Sequence, residues 1–173
     1  MMAELRLLIS PEEIATRVAE LGEEISRDHS GHPLVLVGIL KGAFIFMADL
    51  CRAIKIPHEI DFVRLASYGS GTTSGEITIT KDIELPVAGK EVIVVEDIID
   101  TGRTLLYLED VIKLHRPAVV KRCCLIDKPE RRQVDIFIDY VGFHVPRGFL
   151  VGYGLDYAER YRHLPGIYEV LGV

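Results

Sequence analysis

Val92-Ile93-Val94-Val95-Glu96-Asp97-Ile98-Ile99-Asp100-Thr101-Gly102-Arg103-Thr104-Leu105 is the stretch that decides the fold. Its first four residues are apolar and β-branched, the composition of a parallel strand buried on both faces. The run stops at two adjacent acids, Glu96 and Asp97. Two isoleucines follow, then Asp100, then the turn Thr101-Gly102-Arg103-Thr104 and the apolar start of a helix. Such a passage suits a phosphate, because free backbone N–H groups and the positive end of the helix dipole point at the anion. The hydroxyls of Thr101 and Thr104 and the bare Gly102 allow close approach. Three acids within five residues at the mouth of a buried strand are costly unless something binds them. They stand where the hydroxyls of a sugar or a hydrated magnesium ion would lie. The string is not a P-loop, for no G-x-x-x-x-G-K-[ST] pattern occurs in the chain.

Composition narrows the reading around this motif. A chain of 173 residues suits one domain, residues 1–173, with a real core. The formal net charge of −6 argues against a general nucleic-acid binder, while a local cluster of donors still serves an anionic ligand. No window approaches the roughly twenty apolar residues of a membrane span. The start, MMAELRLLISPEE, lacks the apolar core of a signal peptide. Cys51, Cys123 and Cys124 make a poor disulfide framework. The adjacent pair reads as buried small hydrophobes, and a reducing cytoplasm fits. The six histidines show no zinc spacing, so no transition-metal site is expected.

Along the chain, Ser10-Pro11-Glu12-Glu13 reads as a capping box with proline at the first helical position. Ile14, Val18, Leu21 and Ile25 continue it as an amphipathic helix. Leu34 to Ile39 is a buried strand, and Phe44, Met47, Ala48 and Cys51 mark a second helix. Ile60 to Ala66 reads as a strand, and Ile77 and Ile79 alternate with threonines as in a ribbon strand. Between them Ser67 to Gly75, SYGSGTTSG, reads as a mobile loop of three glycines and five hydroxyl residues. Leu105 to Leu114 is a helix, Val119 to Ile126 a strand, and Lys128 to Arg132 a charged loop. Val141 to Phe143 and Phe149 to Tyr153 are short strands. Alternating strands and helices imply a mostly parallel α/β sheet, whose ligands gather at the carboxyl ends of the strands. Leu40-Lys41-Gly42, Glu96-Asp97 and Asp127-Lys128 are all expected just past such ends.

The 92–105 string resembles the 5-phosphoribosyl diphosphate (PRPP) binding motif of the type I phosphoribosyltransferases. The likeness extends from about Leu34 to Arg162, and it is nearest to the enzymes that act on 6-oxopurines. It implies an α/β fold, a mostly parallel twisted sheet flanked by helices, with a small hood built from terminal segments. By the same resemblance Asp100, Thr101, Gly102, Arg103 and Thr104 hold the 5′-phosphate, and Glu96 and Asp97 hold the ribose hydroxyls. Gly38-Ile39-Leu40-Lys41-Gly42 resembles the pyrophosphate loop, in which a non-proline cis bond is common, so Lys41 and Gly42 face the leaving group. Ser67 and Tyr68 match the Ser-Tyr of the loop that closes over the site and excludes water. Lys128 stands where a lysine donates to the exocyclic oxygen of the purine, a bond that a 6-amino group cannot accept.

The segment Phe149 to Tyr157 resembles the base-binding segment. Phe149 would stack on the purine, Leu150 would offer its backbone, and Asp156 would reach a magnesium ion through water. Arg162 would approach the pyrophosphate. The implied cofactor is Mg²⁺, held around the diphosphate with Asp156, Glu96 and Asp97. Asp100 is placed to take the proton of the purine N7, which makes Asp100, Lys128, Ser67 and Tyr68 the catalytic set. The activity so implied is transfer of phosphoribosyl from PRPP to hypoxanthine, guanine or both, in a homodimer or homotetramer. Arg103 departs from the lysine of many relatives and keeps the charge. Two other readings stand beside this one. A PRPP-sensing regulator would keep the 92–105 motif and lose parts of the catalytic set, which is complete here. A transferase for xanthine or a pyrimidine fits the 40–42 and 149–157 segments less well.

Overall fold

A computed structural model describes residues 4–68 and 76–172. The elements run β1 (Glu4–Ile9), α1 (Pro11–Asp28), β2 (Leu34–Leu40), α2 (Phe44–Ala53), β3 (Glu59–Tyr68) and β4 (Glu76–Lys81). They continue with β5 (Glu91–Ile99), α3 (Arg103–Leu114), β6 (Val119–Asp127), β7 (Tyr140–His144), β8 (Leu150–Val151) and β9 (Ile167–Leu171). Among the described residues the strands form two sheets, a larger one in the order β4-β3-β2-β5-β6-β7 and a smaller one in the order β1-β9-β8. Within the larger sheet only the β3–β4 pairing is antiparallel. The motif strand β5 lies centrally between β2 and β6.

Side-chain alternation divides the core into two layers. Leu34, Leu36, Ile93, Val95, Cys123 and Leu125 face one layer, shared with Ile14, Leu21, Ile25, Phe46, Met47 and Leu50 of α1 and α2. Val35, Val37, Val92, Val94 and Cys124 face the other, shared with Leu105, Leu108 and Ile112 of α3. Cys123 and Cys124 are therefore buried on opposite faces of β6, as small hydrophobes, and their burial pushes both thiols up. The helix α1 begins as expected. Ser10 Oγ accepts from the Glu13 N–H at 3.1 Å, and the Ser10 N–H donates to the Glu13 carboxylate at 2.7 Å.

Several expectations shift. Helix α2 is present, but its buried face is Phe46, Met47 and Leu50, while Phe44 is 43% exposed. FIFMADL is apolar nearly all round, so periodicity does not select a face. The strand expected at 149–153 is only Leu150–Val151, because the chain turns through positive φ at Gly152, Tyr153 and Gly154. It belongs to the smaller sheet, with the terminal strands β1 and β9 that the pattern left unassigned; this sheet is the hood. Strand β5 continues through the acids to Ile99, paired with β6 up to Asp127, so Glu96 and Asp97 lie in its last residues rather than beyond them. Among the described residues no helix is long and apolar enough to cross a membrane. The loop expected at 67–75 lies outside the described residues from 69 on, as do the side chains of Ser67 and Tyr68.

Candidate active site

The turn after β5 is shaped by Gly102. Its φ of +83° is a left-handed conformation, and a Cβ there would stand 2.7 Å from Val134 Cγ2. Helix α3 starts at Arg103; its N-cap, Gly102, has no side chain to offer, the Arg103 N–H makes one long bond to Thr101 Oγ1 at 3.4 Å, and no acid occupies the first turn. The positive end of its dipole and the N–H groups after Arg103 are thus left for an anion, with Thr101 and Thr104 beside them. Asp100 precedes the turn. Its Oδ2 lies 3.5 Å from Arg131 Nη1, and its Oδ1 is buried without a hydrogen-bond partner among the described residues. A buried carboxylate oxygen left open is an acceptor awaiting a donor.

A cavity of about 190 Å³ joins Asp97, Ile98, Asp100, Lys128, Arg131, Phe149, Leu150, Leu155 and Asp156. Six expected site residues, drawn from β5, the β6–β7 loop and the 149–156 segment, thus share one wall. Larger depressions elsewhere, such as the one between α1 and α2, contain none of them. Lys128 is 8% exposed, so it is a cavity lysine and not a solvated loop charge; its Nζ lies 3.7 Å from Glu130. Phe149 is 41% exposed, lines the cavity and packs against Tyr157 in a T-shaped arrangement at 5.2 Å, so it is not a plain core residue.

The loop 38–42 comes to the same place. The Leu40–Lys41 bond is cis, and a Cβ on Gly42 would fall 1.9 Å from Asp97 Oδ2. Glycine is required there by the acid and not by φ. Lys41 Nζ bonds Glu159 at 2.8 Å, and Arg162 reaches Glu159 at 3.4 Å and Asp156 at 3.1 Å. Arg162 Nη1 also donates to the Gly154 carbonyl at 2.7 Å. The segment holding these groups has positive φ at Ala158, Glu159 and Tyr161 as well as at Gly152, Tyr153 and Gly154, a concentration of strained backbone typical of ligand sites. Glu96 is not on the cavity wall. It pairs in register with Cys124, while Asp97 faces Gly42.

The adjacent acids near the end of β5, Glu96 and Asp97, resist ionisation. Burial, and then Asp97, push Glu96 well above the usual carboxylate range. Burial pushes Asp97 up to about 6; the N–H groups of Ile98 and of Asp97 itself and the charge of Arg162 oppose this, and Asp156 adds to it. Sequence reasoning passed over Glu159, whose signal lies only in its fold neighbours, and treated Arg131 and Arg132 as loop charges.

A family model for the phosphoribosyl transferase domain matches residues 9–158. The hypoxanthine phosphoribosyltransferase of Salmonella typhimurium is 48% identical over 170 residues, 96% of each chain. The chain belongs to the hypoxanthine-guanine phosphoribosyltransferase family. The Escherichia coli hypoxanthine phosphoribosyltransferase is 46% identical over 170 residues, again 96% of each chain. A hypoxanthine-guanine phosphoribosyltransferase structure from Bacillus anthracis superposes with a TM-score of 0.93 at 48% identity, covering 98% of this chain and all of that one. A Staphylococcus aureus hypoxanthine phosphoribosyltransferase gives 0.91 at 42% identity, covering 95% and 90%. The family resemblance read from the motifs, and the type I phosphoribosyltransferase fold it implied, are both borne out.

The raised value of Asp97 has a stability consequence for this phosphoribosyltransferase. Its folded-state value lies above the usual 3.8, so the folded protein holds the proton more tightly. Stability is fully present below the unfolded value and is lost as pH rises through about 6. Asp97→Asn should raise the thermal midpoint at pH 7.5 and leave it nearly unchanged near pH 4, measured by calorimetry without ligand. An equal gain at both pH values would contradict the assignment.

Proposed function

We propose that the protein transfers the 5-phosphoribosyl group of PRPP to hypoxanthine, guanine or both, yielding IMP or GMP and pyrophosphate. The observation that carries the reading is the cavity in which Asp100, Lys128, Phe149 and Asp156 meet at the end of a phosphate-binding turn. The N–H groups around Thr101, Gly102, Arg103 and Thr104 would hold the 5′-phosphate, and Glu96 and Asp97 the ribose hydroxyls. Binding energy far from the reacting atom then positions C1′. Phe149 would stack on the purine, the backbone of Leu150 would contact its edge, and Lys128 would donate to O6. As N9 bonds to C1′ and the C1′–oxygen bond to pyrophosphate breaks, Asp100 would accept the N7 proton through its open Oδ1. Lys41, Gly42 and Arg162 would receive the departing diphosphate, with Lys41 and Arg162 exchanging Glu159 for phosphate oxygens. Ser67 and Tyr68, which end β3, complete the catalytic set on the strength of the family pattern.

The residues fit a magnesium ion. Asp156 and Asp97 are acids at the diphosphate end, and Mg²⁺ keeps most of its ligands as water and phosphate oxygen, needing only one or two carboxylates. Bound with Asp156, Asp97 or Glu96 nearby, the ion supplies charge neutralisation to the leaving group. The reading further takes residues 1–173 as one phosphoribosyltransferase domain, acting in the cytoplasm as a homodimer or homotetramer, with no nucleic-acid partner. Sedimentation analysis tests the assembly.

Pyrophosphate release from PRPP and magnesium should accompany addition of hypoxanthine or guanine and not of adenine, and excess chelator should abolish it. Full activity in chelator would refute the metal.

Lys128→Ala should narrow the preference for 6-oxopurines over adenine by roughly 1.5–3 kcal/mol, the worth of a charge-assisted hydrogen bond, read from kcat/KM for each base. Unchanged selectivity would return Lys128 to a structural role.

Asp100→Asn keeps the shape and cannot accept a proton. Turnover should fall by about 10²–10⁴ while PRPP affinity changes little. Near-normal turnover would leave Asp100 as a shaper of the turn only.

A further inference from the structure

Arg132 lies in the loop after β6, where the sequence offers only a run of charges. Its side chain is 19% exposed and spans two strand ends. Nε donates to the Asp100 carbonyl at 2.9 Å, and Nη2 donates to the Ile99 carbonyl at 3.2 Å and to Asp127 Oδ1. The other Asp127 oxygen is held by His144 Nδ1 at 3.0 Å. Backbone bonds run alongside. Lys128 N–H donates to the Ile99 carbonyl at 3.1 Å, and Gln133 N–H to the Thr101 carbonyl at 3.0 Å. The aliphatic stem is also near the turn, with Cδ 3.3 Å from where a Cβ on Gly102 would stand.

One planar guanidinium therefore serves two main-chain carbonyls of the β5 end and the carboxylate that ends β6. A lysine, with a single ammonium point, cannot reproduce that fork. The acceptors flank the two groups assigned to neighbouring atoms on one edge of the purine, N7 and O6: Asp100, just after β5, and Lys128, next to Asp127, just after β6. We infer that Arg132 is a positioning residue for the transfer reaction, setting Asp100 against Lys128 and so the purine against C1′. It touches no substrate. The inference rests on the roles given above to Asp100 and Lys128.

The test compares Arg132→Lys with the unaltered protein in steady-state kinetics with PRPP and each purine, in thermal unfolding, and in calorimetric binding of magnesium pyrophosphate. Among the described residues Arg132 makes no hydrogen bond or ion pair with Lys41 or Arg162, so pyrophosphate affinity should stay within about twofold. In contrast, kcat should fall about 10- to 100-fold, the scale expected of an ångström of misplacement, and the preference for 6-oxopurines over adenine should narrow. Unaltered kcat and selectivity would overturn the inference. So would a loss of kcat matched by an equal loss of folded protein or of pyrophosphate binding, which would make Arg132 a general structural residue. Asp100→Asn and Lys128→Ala run beside it separate the two levels. If both leave catalysis intact, the parent reading fails and this inference with it. If they impair catalysis and Arg132→Lys does not, only Arg132 is misassigned.

Discussion

The carboxylate of Asp97 pressed against the backbone of Gly42 is the contact on which the site depends. It joins the end of β5 to the turn after β2, two neighbouring strands of a buried parallel sheet, with no room for a Cβ between them. An acid in such a place is poorly solvated, and it stands beside Glu96 and within the field of Asp156. The charge that would balance it comes mainly from Arg162, which is already shared with Asp156, Glu159 and the Gly154 carbonyl. The site is thus short of positive charge along its acidic edge. That is the condition in which hydroxyl donors or a hydrated cation bind well, and in which the empty fold is less stable than it could be.

Beside these acids stand the cations of the site. Lys41 and Arg162 are paired with Glu159, an exposed carboxylate that burial does little to strengthen and that Lys41, foremost, holds below its usual range. An exposed pair such as Lys41–Glu159 is worth little, so on the proposed function a diphosphate would take Lys41 at small cost, while the largely buried Arg162 keeps Asp156 and the Gly154 carbonyl. On the same proposal the hydroxyls of the ligand would serve the acids and its phosphates the cations.

Much of this was legible in the primary structure because it is local. Four β-branched residues running into acids and a Thr-Gly turn specify a buried strand, a close-approach turn and a helix N-terminus open to an anion, all within fourteen consecutive residues. The capping box of α1 and the apolar stripe Ile14, Val18, Leu21 and Ile25 are equally local. The face of α2 was not legible, because a helix apolar on every side has no period to read. Nor was the true end of β5, since main-chain pairing with β6 continues whatever the side chains are.

What the sequence determined by itself was the family, the central parallel sheet and six of the residues that line the cavity, Asp97, Asp100, Lys128, Phe149, Leu150 and Asp156, because each rests on a motif contained in neighbouring residues. Tertiary structure alone decided that Phe149 is exposed and packs against Tyr157, that Lys128 is buried in the cavity wall, that Glu159 ties Lys41 to Arg162, and that Arg132 spans β5 and β6. It also decided the hood, whose strands β1 and β9 come from opposite ends of the chain. The Lys41–Glu159, Arg132–Asp100 and β1–β9 contacts join residues tens to more than a hundred positions apart. Their existence follows from how strands are ordered in the sheet, and no pattern along the chain encodes the distance between two side chains that only the packed core brings together.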